Sequence, residues 1–200
     1  MSEIEYRNKT INLRAAAEGQ TAALTGYAST FDSPYEVEGM IETIGRDAFK
    51  ETLVKNSDVF AFLNHDTGRV IARTKTGSMH LETDETGLKA VINPVDTQDG
   101  RDAMELVRSG TLDSMSFGFV VDDDTLELRD GKIYRTINKV TLHEVSVVAF
   151  PANENAKISL RCKERCAELT KPAQPPAQPE KCYNKIYLLP NPLHTFKGSI

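Results

Sequence analysis

Cysteine is scarce and confined to one end: the 200-residue chain holds three, Cys162, Cys166 and Cys182, all in its last quarter. No disulfide framework can therefore staple the main body, and the odd count fits a reducing compartment. A basic surplus is missing as well. The 24 Lys and Arg stand against 29 Asp and Glu, a formal net charge of −5. That excludes bare nucleic acid as the main partner, because phosphate binding needs clustered positive charge. No apolar stretch is long enough to cross a bilayer, and the opening MSEIEYRNKT has neither the charged start nor the apolar centre of a secretory signal. A soluble, intracellular protein with no membrane and no nucleic-acid partner is expected.

What is present is enough for one well-buried core with appendages, at 40% hydrophobic residues. TINLRAA and AALTGYASTF read as strands joined by the turn-prone AEGQ, a hairpin. IGRDAFKETLVKNS reads as a short helix, VFAFLNHD as a strand, and RVIARTKTGSMHLETDETGLKAVINPV as a β-meander with turns at KTGS and DETG. Ala103, Met104, Leu106 and Val107 recur at helical spacing and Gly110 sits where a helix would end left-handed. Strands SMSFGFVV, TLELRD with IYRTINKV through DGK, and LHEVSVVAF follow, the last stopped by Pro151. The chain divides into a folded domain over 1–161, a proline-rich flexible linker over 162–182 and a tail over 183–200.

Chemistry concentrates in SMSFGFVV. Strand alternation puts Met115, Phe117, Phe119 and Val121 on a core face, and Ser114, Ser116 and Gly118 on the other. A serine attacks only when a neighbouring base takes its proton. Among His65, His80, His143 and His194, the candidate base is His65, which closes VFAFLNHD where the strand opens to solvent. His143 and Glu144 are neighbours in LHEVSVVAF, so only one of them can face the site unless the strand is bulged there. On residue types alone these are ordinary hydrogen-bonded groups in a soluble β-rich domain.

The order GYASTFD, IETIGRDAF, LNHD, GLKAVINPVDT, ELVRSGTLDSMSFGF and LHEVSVVAFPANENAKI resembles the prohead protease family of tailed bacteriophages, over roughly residues 22 to 160. One departure is IGRDAF, where relatives often carry a proline and a glycine before the alanine and phenylalanine. That family is similar in fold to the herpesvirus assemblins. The resemblance implies a mainly β fold, a closed antiparallel β-barrel ringed by a few helices. It also implies a serine endopeptidase with His65 as base, Ser116 before x-G-F as nucleophile and Ser114 as the fallback. Glu144 is the third member in L-x-E-V-S, with His143 its competitor. Glu144 is favoured because a carboxylate stabilises an imidazolium more than a neutral imidazole does. Gly118 would leave room for a substrate strand.

No metal or organic cofactor is implied. The expected partners are the major capsid protein with its scaffold segment, the protease itself as a substrate, and a second copy in a homodimer. The expected location is the interior of the procapsid in the host cytoplasm. Two other readings compete: a catalytically silent β-barrel scaffold or adaptor, and a zinc site from Cys162, Cys166, Cys182 and His194, for which free thiols in a flexible tail are the ordinary alternative.

Overall fold

The computed structural model describes residues 3–9, 13–15, 23–55, 58–149 and 160–171. In chain order it contains β1 (Glu5–Lys9), β2 (Arg14–Ala15), β3 (Leu24–Thr30), β4 (Tyr35–Val37), β5 (Met40–Ile44), α1 (Lys50–Val54), β6 (Phe60–Leu63) and β7 (Asp66–Arg73). Then come β8 (Met79–Thr83), β9 (Gly87–Ile92), α2 (Gln98–Arg108), β10 (Ser114–Arg129), β11 (Lys132–Val148) and α3 (Leu160–Leu169). Helix α2 starts on the Thr97 side chain, which accepts from Gly100 N at 3.2 Å. It buries Ala103, Met104 and Val107 and ends at Gly110 with φ +75°. The apolar stripe sets its face, and the left-handed glycine releases the chain toward β10.

Three hairpins turn on two residues with both φ values positive, the type I′ pattern that matches strand twist. Glu38 and Gly39 join β4 to β5, Asp130 and Gly131 join β10 to β11, and Asn64 and His65 join β6 to β7. The segments SMSFGFVV and TLELRD fuse into one 16-residue β10, and IYRTINKV and LHEVSVVAF into a 17-residue β11. The acidic run at 122–124 does not break the pair; register shifts between Val121 and Asp124 absorb it.

One seven-stranded sheet runs β1-β10-β11-β5-β4, with β6 on β11 and β7 on β6; a four-stranded sheet runs β2-β3-β9-β8. The two share one core. Met115, Phe117, Phe119, Val145, Val147, Ala61 and Leu63 from the first meet Leu24, Ala28, Leu88, Ala90 and Ile92 from the second. The fold is mainly β with a few helices, as expected, but neither sheet closes into a barrel and the pairing is not wholly antiparallel. Strand β11 pairs in parallel with β5 over Ile133–Ile137 and with β6 over Glu144–Val147. Closure needs a hydrogen-bonded ladder between every pair of neighbours. Here the long β10–β11 hairpin bends at its bulges, and side-chain packing, not a ladder, joins the sheets.

Helix α3 crosses the boundary placed at residue 161. Its Cys162 is buried with Val37 and Met40, and burial pushes that thiol up to about 12. The Cys162 and Cys166 sulfurs lie 4.0 Å apart. Cys182, His194 and the proline-rich residues 172–181 lie outside the described residues.

Candidate active site

Neighbouring strands lay the candidate residues side by side on the outward face of the larger sheet. In one row Ser116 of β10 pairs with Ser146 of β11, Ser146 with Phe62 of β6, and Phe62 with Val70 of β7. In the next row Tyr6 of β1 pairs with Gly118, Gly118 with Glu144, Glu144 with Phe60 and Phe60 with Arg73. The opposite face of β10, β11 and β6 is core at these rows. The register shift between Gly118 and Phe119 makes Phe119 pair with Leu142, so His143 is the extra residue of a bulge. Simple alternation would have put Leu142 on the Glu144 face. With the bulge, Leu142 enters the core at 1% exposure and His143 points to solvent.

His65 stands on the β6–β7 turn, with φ +60° after Asn64 at φ +54°. The other two such turns carry glycine at this second position, where a side chain costs about 1 kcal/mol. Residues held in sparsely populated backbone regions cluster at functional sites. Asn64 anchors the turn to the end of β11: its N–H donates to Val147 O at 2.8 Å, and its Oδ1 accepts from Ala149 N at 3.0 Å.

The structure brings His65 and Glu144 together. His65 Nδ1 bonds Glu144 Oε1 in a short contact, and Ser146 Oγ donates to Glu144 Oε2 at 2.5 Å. Both oxygens of a carboxylate only 5% exposed are therefore engaged. Committing Nδ1 to the carboxylate fixes the ring and leaves Nε2 for proton transfer. The Tyr6 ring meets His65 edge-on at 4.8 Å between centroids. Burial and the Glu144 charge raise the Tyr6 phenol above its ordinary value, keeping it neutral beside the carboxylate.

Ser116 lies on the same face, but its Oγ donates to Arg7 O of β1 at 3.0 Å and not to His65. Ser114 Oγ donates to Asp113 Oδ1 at 2.7 Å, and its partner across β11 is Val148, four residues beyond Glu144. The serine face is not open to solvent: Ser114, Ser116 and Ser146 are each 0% exposed. Strand β1 covers that edge of β10. Nor does Gly118 make room for a substrate strand. A Cβ there would lie 2.8 Å from Glu144 Cγ and 2.9 Å from both Glu144 Oε1 and Tyr6 Cε1, so the glycine makes room for the carboxylate and the tyrosine.

Sequence reasoning missed Ser146, Tyr6 and the anchoring role of Asn64. Ser146 had a readable signal, two residues after Glu144 on a strand. Tyr6 had none, because its place depends on β1 pairing with a strand more than a hundred residues away.

Behind β1 lies a second polar cluster. Arg7 donates to Glu42 Oε1 at 2.5 Å and to Glu5 Oε2 at 2.6 Å, and Arg135 donates to Glu5 Oε2 at 2.8 Å, Glu42 Oε2 at 2.9 Å and Asp124 Oδ2 at 2.8 Å. Tyr35 donates to Glu42 at 2.6 Å, and Arg165 of α3 closes on Asp124. Burial opposes the charge on Arg7 and Arg135, yet the carboxylates around them raise both guanidinium values.

A histidine oriented by a carboxylate beside a strand serine, on a two-sheet β fold, has the parts of a serine hydrolase site. The chain belongs to the Caudovirus prohead serine protease family, whose model matches residues 9–171. It is 33% identical over 151 residues to the prohead protease of Enterobacteria phage HK97, covering 74% of this chain and 63% of that protein. Its fold is similar to that of the bacteriophage T4 capsid assembly protease, with a TM-score of 0.50 at 11% identity, covering 74% of this chain and 99% of the other. Among the described residues no group of three or more His, Cys, Asp or Glu is arranged to hold a metal ion.

Proposed function

We propose that this chain is a serine endopeptidase that cleaves scaffold segments of capsid proteins, and itself, inside the procapsid during phage head maturation. The observation that carries the reading is the His65–Glu144 pair beside the strand of Ser116, in a chain of this family. Ser116 is the nucleophile, His65 the general base and Glu144 the group that orients His65. The Ser116 hydroxyl turns from Arg7 O toward His65 Nε2. As Oγ attacks the scissile carbonyl carbon, Nε2 takes its proton, and the imidazolium keeps its Nδ1–H on Glu144. Nε2 then gives that proton to the leaving amine, the C–N bond breaks and an acyl-serine ester remains. Water, losing its proton to Nε2, attacks the ester, and the acid leaves as the proton returns to Oγ.

The major capsid protein with its scaffold segment is the main substrate, and the protease works as a homodimer. Residues 162–200 serve as tether or self-cleavage segment, so that their deletion should leave peptidase activity intact and reduce packaging into procapsids.

The test is expression of the wild type, Ser116→Ala and His65→Ala, each with the cognate capsid protein, followed by the intact mass of every product. Truncated products from the wild type alone support the reading, and Ser114→Ala then separates the two serines. Identical products from all three would leave the chain a silent scaffold.

A further inference from the structure

On the outward face, the strip beyond Glu144 and Ser146 changes from polar to apolar. Phe60 and Phe62 of β6 both point outward, half-buried, with rings stacked at 5.7 Å between centroids and 11° between planes. Val70, the partner of Phe62, is 37% exposed. At the far end the Arg73 guanidinium lies 4.3 Å over the Phe60 ring and pairs with Asp58, so the strip ends in a neutralised ion pair. At the near end it abuts Ser146 and Glu144 in register. The core needs none of these side chains, because Ala61, Leu63, Ile71 and Ala72 of the same strands already face inward.

We propose that Phe62, with Phe60 and Val70, forms the subsite that receives a large apolar side chain of the polypeptide substrate. The inference rests on the endopeptidase reading above. The edge of β10 beside Ser116 is already paired with β1, so a substrate cannot add there as a neighbouring strand. From Ser116 the face of the sheet leads over β11 and onto β6, and the substrate takes this path. Phe62 is two strands from Ser116, about 10 Å at ordinary strand spacing, which an extended peptide covers in about three residues. The recognised residue is therefore two or three positions from the scissile bond. The strip offers rings and a valine, and its one guanidinium is held by Asp58. Leucine, isoleucine, methionine or phenylalanine fits this chemistry, and a charged side chain does not.

The experiment uses the full-length chain on a peptide library, reading cleavage sites by mass spectrometry. Paired peptides with leucine or alanine at the selected position then give kcat/KM. A large apolar residue is expected at one position two or three from the bond. Phe62→Ala is expected to lower the leucine-to-alanine ratio of kcat/KM by about tenfold or more, and Phe62→Leu to recover most of it. A wild-type profile without apolar preference there, or a ratio unchanged by Phe62→Ala, overturns the subsite. The unchanged ratio is also the outcome if a second copy or the chain's own C-terminal residues cover the strip. Failure of the parent reading looks different: no peptide is cut, and a fluorophosphonate labels the wild type no more than Ser116→Ala.

Discussion

Strand β1 has a polar cluster on each face, and the two are built to opposite ends. On the inner face Glu5 and Arg7 join Glu42, Arg135, Asp124 and Arg165, three carboxylates against three guanidinium groups. On the outer face Tyr6 touches a His65–Glu144 pair whose imidazole is 27% exposed. The inner cluster is charge-balanced and tied to five elements. The outer one keeps the imidazole of a residue at positive φ within reach of solvent. Buried charge that is fully paired specifies how strands dock, whereas a carboxylate that orients a reachable imidazole prepares chemistry.

Substitutions on each face should therefore separate activity from stability. The largest effect expected is on the outer face, where Glu144→Gln should lower kcat by about 10⁴-fold through loss of the orienting charge, with little change in the denaturant midpoint. A drop of less than tenfold in steady-state peptide hydrolysis would remove Glu144 from the mechanism. The inner face should give the converse. Arg135→Ala leaves three carboxylates, Glu5, Glu42 and Asp124, sharing two guanidinium groups, Arg7 and Arg165, and the uncompensated buried charge should cost about 3–5 kcal/mol in urea unfolding, while any folded fraction keeps its kcat.

Gly118→Ala tests the packing of the outer face. The new Cβ would displace Glu144 and Tyr6, and kcat should fall by about 100-fold, in keeping with an ångström-scale misplacement. A fully active variant would mean that the room above Gly118 is not needed. The smallest effect is a pH dependence. Burial opposes ionisation of Asp124, but hydrogen bonds from Arg165 and Arg135 outweigh it and lower its carboxyl below 3.8. The stability this adds is complete above the unfolded value and is lost as pH falls through the folded one. The melting temperature of the wild type should therefore exceed that of Asp124→Asn at about pH 5 and converge on it below 3.8. Parallel curves would mean that the carboxylate contributes nothing through ionisation.

Much of the local structure was legible. The α2 stripe, its stop at Gly110, the Asp130–Gly131 reversal and the core face of Met115, Phe117 and Phe119 follow from periodicity and turn chemistry. The fusion into β10 and β11 was not, because a charged run such as residues 122–124 reads as loop until a partner strand accommodates it by register shifts. Of the candidate site, His65 stood out by closing its strand, and Ser116 and Glu144 by the resemblance in ordered motifs. The choice of Glu144 over His143 at the imidazole rests on a bulge opposite Gly118, and no local preference announces a bulge.

By itself, the sequence determined which residues form strands and turns and which of them carry groups able to exchange a proton, because those properties depend on side-chain chemistry and short spacings. Only the tertiary structure decided that β6 runs parallel to the end of β11, setting His65 over Glu144, that β1 seals the Ser116 edge, and that Glu5, Glu42 and Asp124 close on Arg135. Each of these is a long-range pairing, stable only when burial on both partners offsets the entropy of bringing them together.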